Sequence, residues 1–140
     1  MIRITPSIAI GEDEIAETFL RASGPGGQNV NKVETAVQLR FDVGNSPSLA
    51  DDVKRRLETL AGRRLTRDRV LVIMAQRHRT RERNRADALA RLVELIRRAA
   101  VAPKPRKPTR PTLASKRRRL ETKKRHGTLK GLRGAKPVAD

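Results

Sequence analysis

Val33-Glu34-Thr35-Ala36-Val37-Gln38-Leu39-Arg40-Phe41-Asp42-Val43 alternates without a break. Val33, Thr35, Val37, Leu39, Phe41 and Val43 face one way, and Glu34, Ala36, Gln38, Arg40 and Asp42 the other. A period of two marks a strand with one face on a core and the other toward water. Downstream, Gly44-Asn45-Ser46-Pro47 reads as a turn. Ser48 is the expected N-cap of a helix, with Asp51 three residues on in a capping-box arrangement. Leu49, Val53, Leu57 and Leu60 follow at helical spacing until Gly62 stops the helix. Val70-Leu71-Val72-Ile73-Met74 is a short apolar run bounded by charge, expected as a central strand buried on both faces. A second helix is expected over Thr80–Ala100, its stripe formed by Leu89, Leu92, Val93, Ile96 and Ala100. Its first turns, from Arg79 to Arg85, are too charged for a core and are expected to project as a basic end. Upstream, Ile2, Ile4, Ile8 and Ile10 alternate around Pro6 as an edge or broken strand. Ile15 to Arg21 fits helix or strand equally. Strands followed by helix, strand and helix make an α+β layer fold, a small mixed sheet packed with two helices.

The net charge is +18 on 140 residues, and it is unevenly spread. Residues 101–140 hold 14 Lys or Arg against 2 acids, whereas residues 1–100 hold 19 against 13. Pro103, Pro105, Pro108 and Pro111, interleaved with Lys104, Arg106, Lys107 and Arg110, describe an extended, self-repelling linker. Extended, Pro103 to Thr112 spans roughly 30 Å at about 3.3 Å per residue. Residues 115–133 carry only scattered leucines among their cations, too few to fold alone. The expected organisation is therefore a domain at 1–100, a linker at 101–114 and a tail at 115–140, without fixed structure until a polyanion neutralises it as a helix. No long apolar run exists, and the tail has no face to insert into a bilayer, so the partner is nucleic acid and not a membrane.

Other chemistries drop out by composition. Cysteine is absent, and the two histidines, His78 and His126, lie far apart, so neither a metal site nor a cofactor is expected. Only Phe19 and Phe41 are aromatic; both read as core, leaving no stacking platform for bases. Contact with RNA should therefore run through phosphates. The start of the chain is neither a secretory signal nor an acid-poor transit peptide, which points to the cytoplasm of a bacterium or similar cell.

The reactive chemistry lies in Ser23-Gly24-Pro25-Gly26-Gly27-Gln28-Asn29-Val30-Asn31-Lys32. Adjacent glycines allow close backbone approach with no Cβ in the way. Gln28 adds an uncharged amide able to donate and accept. An amide does not ionise near neutral pH, so Gln28 cannot be a general base. It can aim a water by its side chain, or hold an oxyanion through its backbone N–H. No carboxylate or histidine lies within the segment, so proton transfer must be borrowed from the surroundings.

The segment resembles the catalytic loop of peptide-chain release factors. Together with Ile73-Met74-Ala75-Gln76, Asn84, Ala88–Val93, Pro108–Thr112, Ala114-Ser115-Lys116 and Arg118-Arg119-Leu120, the chain resembles the codon-independent ribosome-rescue factor B family and its mitochondrial immature-colon-carcinoma-transcript-like relative. Pro25 and Asn29 match ordinary release factors more closely than rescue factors. The resemblance implies a release-factor catalytic-domain fold, with Ile15–Arg21 a strand entering the loop. It implies a monomeric, ribosome-associated peptidyl-tRNA hydrolase that frees nascent chains from ribosomes stalled without a stop codon. Gly26, Gly27 and Gln28 would sit in the peptidyl-transferase centre, supported by Ser23, Gly24, Pro25, Asn29, Asn31 and Lys32, with the domain in the A site and the substrate's ribose hydroxyl assisting. The tail would enter the vacant messenger channel, where Arg118, Arg119, Leu120, Lys123, Lys130 and Arg133 match positions that contact ribosomal RNA. Two alternatives stay open: a non-catalytic basic protein that binds ribosomal RNA, and a related release factor with a different stalled substrate.

Overall fold

The alternation at the centre of the sequence becomes the middle strand of a three-stranded antiparallel sheet. The structure is a computed structural model and describes residues 1–22 and 34–135. The chain runs β1 (Ile2–Thr5), β2 (Ile8–Ile10), a 3-10 turn (Glu12–Glu14), β3 (Ile15–Leu20), β4 (Ala36–Asp42), α1 (Asp51–Ala61), a second 3-10 turn (Gly62–Arg64), β5 (Val70–Ala75), α2 (Arg81–Ala100) and α3 (Leu113–Gly134). β1 and β2 form a separate antiparallel hairpin turning at Pro6-Ser7, so the broken strand is two paired ones. The main sheet has the order β3-β4-β5 and is antiparallel throughout, not mixed.

Two compact units divide the chain, Met1–Pro103 and Lys104–Asp140. In the first, Val37, Leu39 and Phe41 of β4 are fully buried and pair in register with Ala75, Ile73 and Leu71 of β5. α2 packs on β4 and β5, and α1 packs on α2. Ile4 and Ile10 of the hairpin, Leu49, Val53 and Leu57 join the same core.

Several local expectations change in three dimensions. β5 is a flank of the sheet and not its centre. Leu71, Ile73 and Ala75 point inward, while Met74 is 43% exposed. A bare apolar run cannot say which strand its neighbours will leave outside. The buried stripe of α2 is Asn84, Ala88, Leu92, Leu95, Ile96 and Ala99, with Leu89 and Val93 at its margin. Thr80 caps this helix by accepting from Arg83 N. Ser48 does not cap α1; the N-cap is Ala50. Ser48 and Ser46 instead donate their hydroxyls to the Glu14 carboxylate, which also accepts the Gly11 N–H at 2.8 Å. Gly62 does end α1, at φ 56°, a conformation that suits glycine. Phe41 is core, but Phe19 is half-buried under a guanidinium.

The second unit departs from the expected unstructured tail. A helix over Leu113–Gly134 begins with Thr112 accepting from Ser115 N, and none of its residues is buried. Local terms favour it: a side-chain cap, then leucine, alanine, lysine, arginine and glutamate, all good helix formers.

Candidate functional site

Antiparallel pairing of β3 with β4 ends at Leu20 opposite Ala36. The connection between them carries Ser23, Gly24, Pro25, Gly26, Gly27, Gln28, Asn29, Asn31 and Lys32, all of which lie outside the described residues. What the structure describes is the stem on which that connection is mounted, and the first turn of α2 grips it.

Asn84 is completely buried. Its side-chain amide donates to Thr35 O at 2.7 Å and to His78 O at 3.0 Å, and its carbonyl accepts from His78 N at 2.8 Å. Every hydrogen of that amide is used, as burial demands. One turn earlier, Arg81 Nε donates to Glu34 O at 3.1 Å while its guanidinium carbon lies 4.5 Å from the centre of the Phe19 ring. One residue further, Arg85 holds the Glu17 carboxylate through Nε at 2.8 and 2.9 Å. Phe19 and Glu17 belong to the strand leading out, and Glu34 and Thr35 stand just before the strand leading back. Sequence reading treated this turn as a projecting basic end and missed its role. The signal was present: Asn84 stands four residues before Ala88 and eight before Leu92, on the apolar spacing of the helix.

Among the described residues, three carboxylates have a pKa below the ordinary range. For Glu14, burial pushes the value up, but the Ser46 and Ser48 hydroxyls and the Gly11 N–H outweigh it. Asp42 is held down by the Asn45 side chain and backbone, and Asp52 by Arg56. Each is kept charged by a neighbour that anchors a turn or a helix, which suits structure and not proton transfer. Among the described residues, no cluster of three His, Cys, Asp or Glu is placed to hold a metal ion. No described helix is long and apolar enough to cross a membrane.

In the second unit, α3 arranges the predicted contact residues. Arg119, Lys123, His126, Lys130 and Arg133 recur at intervals of four, three, four and three, which places them on one helical face. Arg118 and Leu120 fall to either side of it, about 100° away at 3.6 residues per turn. Among the described residues, no cation of α3 has a salt-bridge partner. Its charge is therefore free for a polyanion. Pro103, Pro105, Pro108 and Pro111 precede it in a segment exposed throughout.

Residues 3–133 match the RF-1 domain. The chain is 53% identical to "Peptidyl-tRNA hydrolase ArfB" of Pseudomonas putida, over 96% of this chain and 97% of that protein. It is 28% identical to "Large ribosomal subunit protein mL62" of Mus musculus, over 78% of this chain but 52% of that one. It is 32% identical to "Peptide chain release factor 2" of Renibacterium salmoninarum, over 54% of this chain and 21% of that factor. The last two likenesses thus cover only part of longer proteins.

Proposed function

The chain belongs to the RF-1 domain family, and on that premise we propose that it is a peptidyl-tRNA hydrolase that frees nascent peptides from ribosomes stalled without a stop codon. The observation that carries this reading is likeness over nearly the whole of both chains to a protein named for that hydrolysis. The covered stretch is long enough to include both the Gly-Gly-Gln segment and the cationic helix.

In this mechanism Gly26 and Gly27 bring the backbone against the ester that joins peptide to tRNA, where a side chain would collide. Gln28 orients the attacking water with its amide, or donates its backbone N–H to the oxyanion as the carbonyl becomes tetrahedral. Ser23, Gly24, Pro25, Asn29, Asn31 and Lys32 hold the segment in place. Water adds to the carbonyl carbon, the bond to the ribose oxygen breaks, and that oxygen takes a proton, leaving a free peptide acid and a deacylated tRNA. The substrate's ribose hydroxyl relays the proton, since Gln28 cannot.

The domain at 1–100 occupies the A site and reaches the peptidyl-transferase centre. The linker at 101–114 spans toward the messenger entry channel. There the tail at 115–140 lays Arg119, Lys123, Lys130 and Arg133 along ribosomal RNA, with Arg118 and Leu120 beside them. An occupied channel excludes the helix, which makes it a sensor of missing messenger. The protein acts as a cytoplasmic, ribosome-associated monomer and needs no cofactor.

A reconstituted release assay on ribosomes programmed with end-truncated messenger tests this. Gln28→Ala is expected to slow release at least about a hundredfold, with co-sedimentation on ribosomes retained. Unchanged release would leave only a binding protein, and parent turnover on free peptidyl-tRNA equal to that on ribosomes would remove the ribosome from the mechanism.

A further inference from the structure

We infer that Arg81 and Asn84 of α2 are positioning residues for the Gly-Gly-Gln segment, setting the direction in which its stem leaves the sheet; this rests on the hydrolase reading proposed above. Backbone pairing between β3 and β4 stops at Leu20 and Ala36. Beyond that rung two carbonyls just before the returning strand are held by side chains of α2: Thr35 O by the Asn84 amide and Glu34 O by Arg81 Nε. On the outgoing strand the Arg81 guanidinium lies over Phe19, one residue before pairing ends. Arg81 thus touches both arms of the stem.

The choice of residues argues for geometry over stability. A leucine at position 84 would serve an apolar core as well as its neighbours Ala88 and Leu92 do. Asn84 is instead a buried amide whose three hydrogen bonds tie α2, the loop before it at His78 and the stem at Thr35. Such a network contributes a unique arrangement more than net stability, because desolvation offsets much of its gain. Arg81 is exposed, so its contacts add little to folding. They do fix an orientation, because a planar guanidinium can donate in its plane while stacking on a ring. A tip aimed at an ester is sensitive to such orientation: a displacement of about 1 Å at the reacting atoms can cost about a hundredfold in rate.

The test uses the full-length protein on ribosomes stalled on end-truncated messenger, measuring maximal release rate, half-saturating concentration and melting temperature. Arg81→Ala is expected to lower the maximal rate about tenfold or more, with half-saturation within about twofold and melting within about 2 °C. Arg81→Lys keeps a cation near Phe19 but not the planar fork, and recovers part of the rate. Asn84→Asp keeps the shape but sets an acceptor against two carbonyl oxygens. Assayed at a temperature where circular dichroism shows it folded, it loses rate at least as strongly as Arg81→Ala. In a Gln28→Ala background, Arg81→Ala adds no further loss, because both act through the same tip. A parent-like rate for Arg81→Ala, a defect confined to half-saturation, or a full additional loss on top of Gln28→Ala overturns the inference while leaving the hydrolase reading intact. Parent-like release by Gln28→Ala alone overturns both.

Discussion

The two units spend positive charge in opposite ways. In Met1–Pro103, several arginines are tied into the fold: Arg56 donates to Ala99 O at 2.6 Å, Arg69 pairs with Glu58, Arg85 with Glu17, and Arg91 donates to Met74 O at 3.1 Å. Around them lies a core in which Phe41, Leu39, Leu57, Leu71, Leu92 and Ile96 are wholly sequestered. In α3 no side chain is buried and no cation is paired among the described residues. One unit is held by what it hides; the other leaves every residue of its helix exposed.

The comparison breaks most decisively if the second unit proves dispensable. Ending the chain after Pro103 is expected to reduce release on end-truncated messenger by at least about a hundredfold, through lost phosphate contacts. The melting temperature should stay within about 2 °C of the parent, since the core loses nothing. A truncated protein that still releases at the parent rate would remove any sensing role from α3.

A matched pair of truncations sharpens the contrast in stability. Phe41→Ala, at a wholly buried site, is expected to cost about 3–5 kcal/mol in chemical denaturation. Leu120→Ala, at a site 58% exposed on α3, is expected to change stability by less than about 0.5 kcal/mol. Comparable losses at the two positions would mean that α3 is buried against something in solution.

The smallest effect concerns the anchor at Glu14, where two turns meet. Its pKa is lower folded than unfolded, so its contribution is present above the ordinary glutamate range. That contribution fades as pH falls through the depressed folded value. Glu14→Gln is therefore expected to destabilise by about 1–2 kcal/mol at pH 7, and the gap to the parent should close on acidification below about pH 4. A gap that is constant with pH would assign the effect to shape and not to charge.

Much of this was legible in the linear chain. The alternation through Val43 gave a strand, the apolar spacing from Val53 to Leu57 a helix, and Gly62 its end. The chemistry expected of the Gly-Gly-Gln segment falls on residues 23–33, which lie outside the described structure. What failed to show had partners distant in the chain. Ser48 looked like a helix cap because a hydroxyl before a helix usually is one, yet Glu14, 34 residues away, took it. The basic turn at Arg81–Arg85 looked solvated because nothing nearby in sequence could use it, while Glu34, Thr35, Phe19 and Glu17 lay waiting across the sheet.

By itself, then, the amino-acid order determined the central strand, the two helices packed on the core, where charge accumulates, and what a glycine pair followed by glutamine can do. Those are matters of periodicity and of side-chain chemistry within a few residues. Only the tertiary structure decided that β5 flanks the sheet, that Phe19 carries a guanidinium, and that the buried Asn84 amide holds Thr35 O beside the start of β4. Hydrogen bonds such as that between Asn84 and Thr35 join groups 49 positions apart. No local pattern encodes which distant carbonyl a side chain will meet once the core has closed.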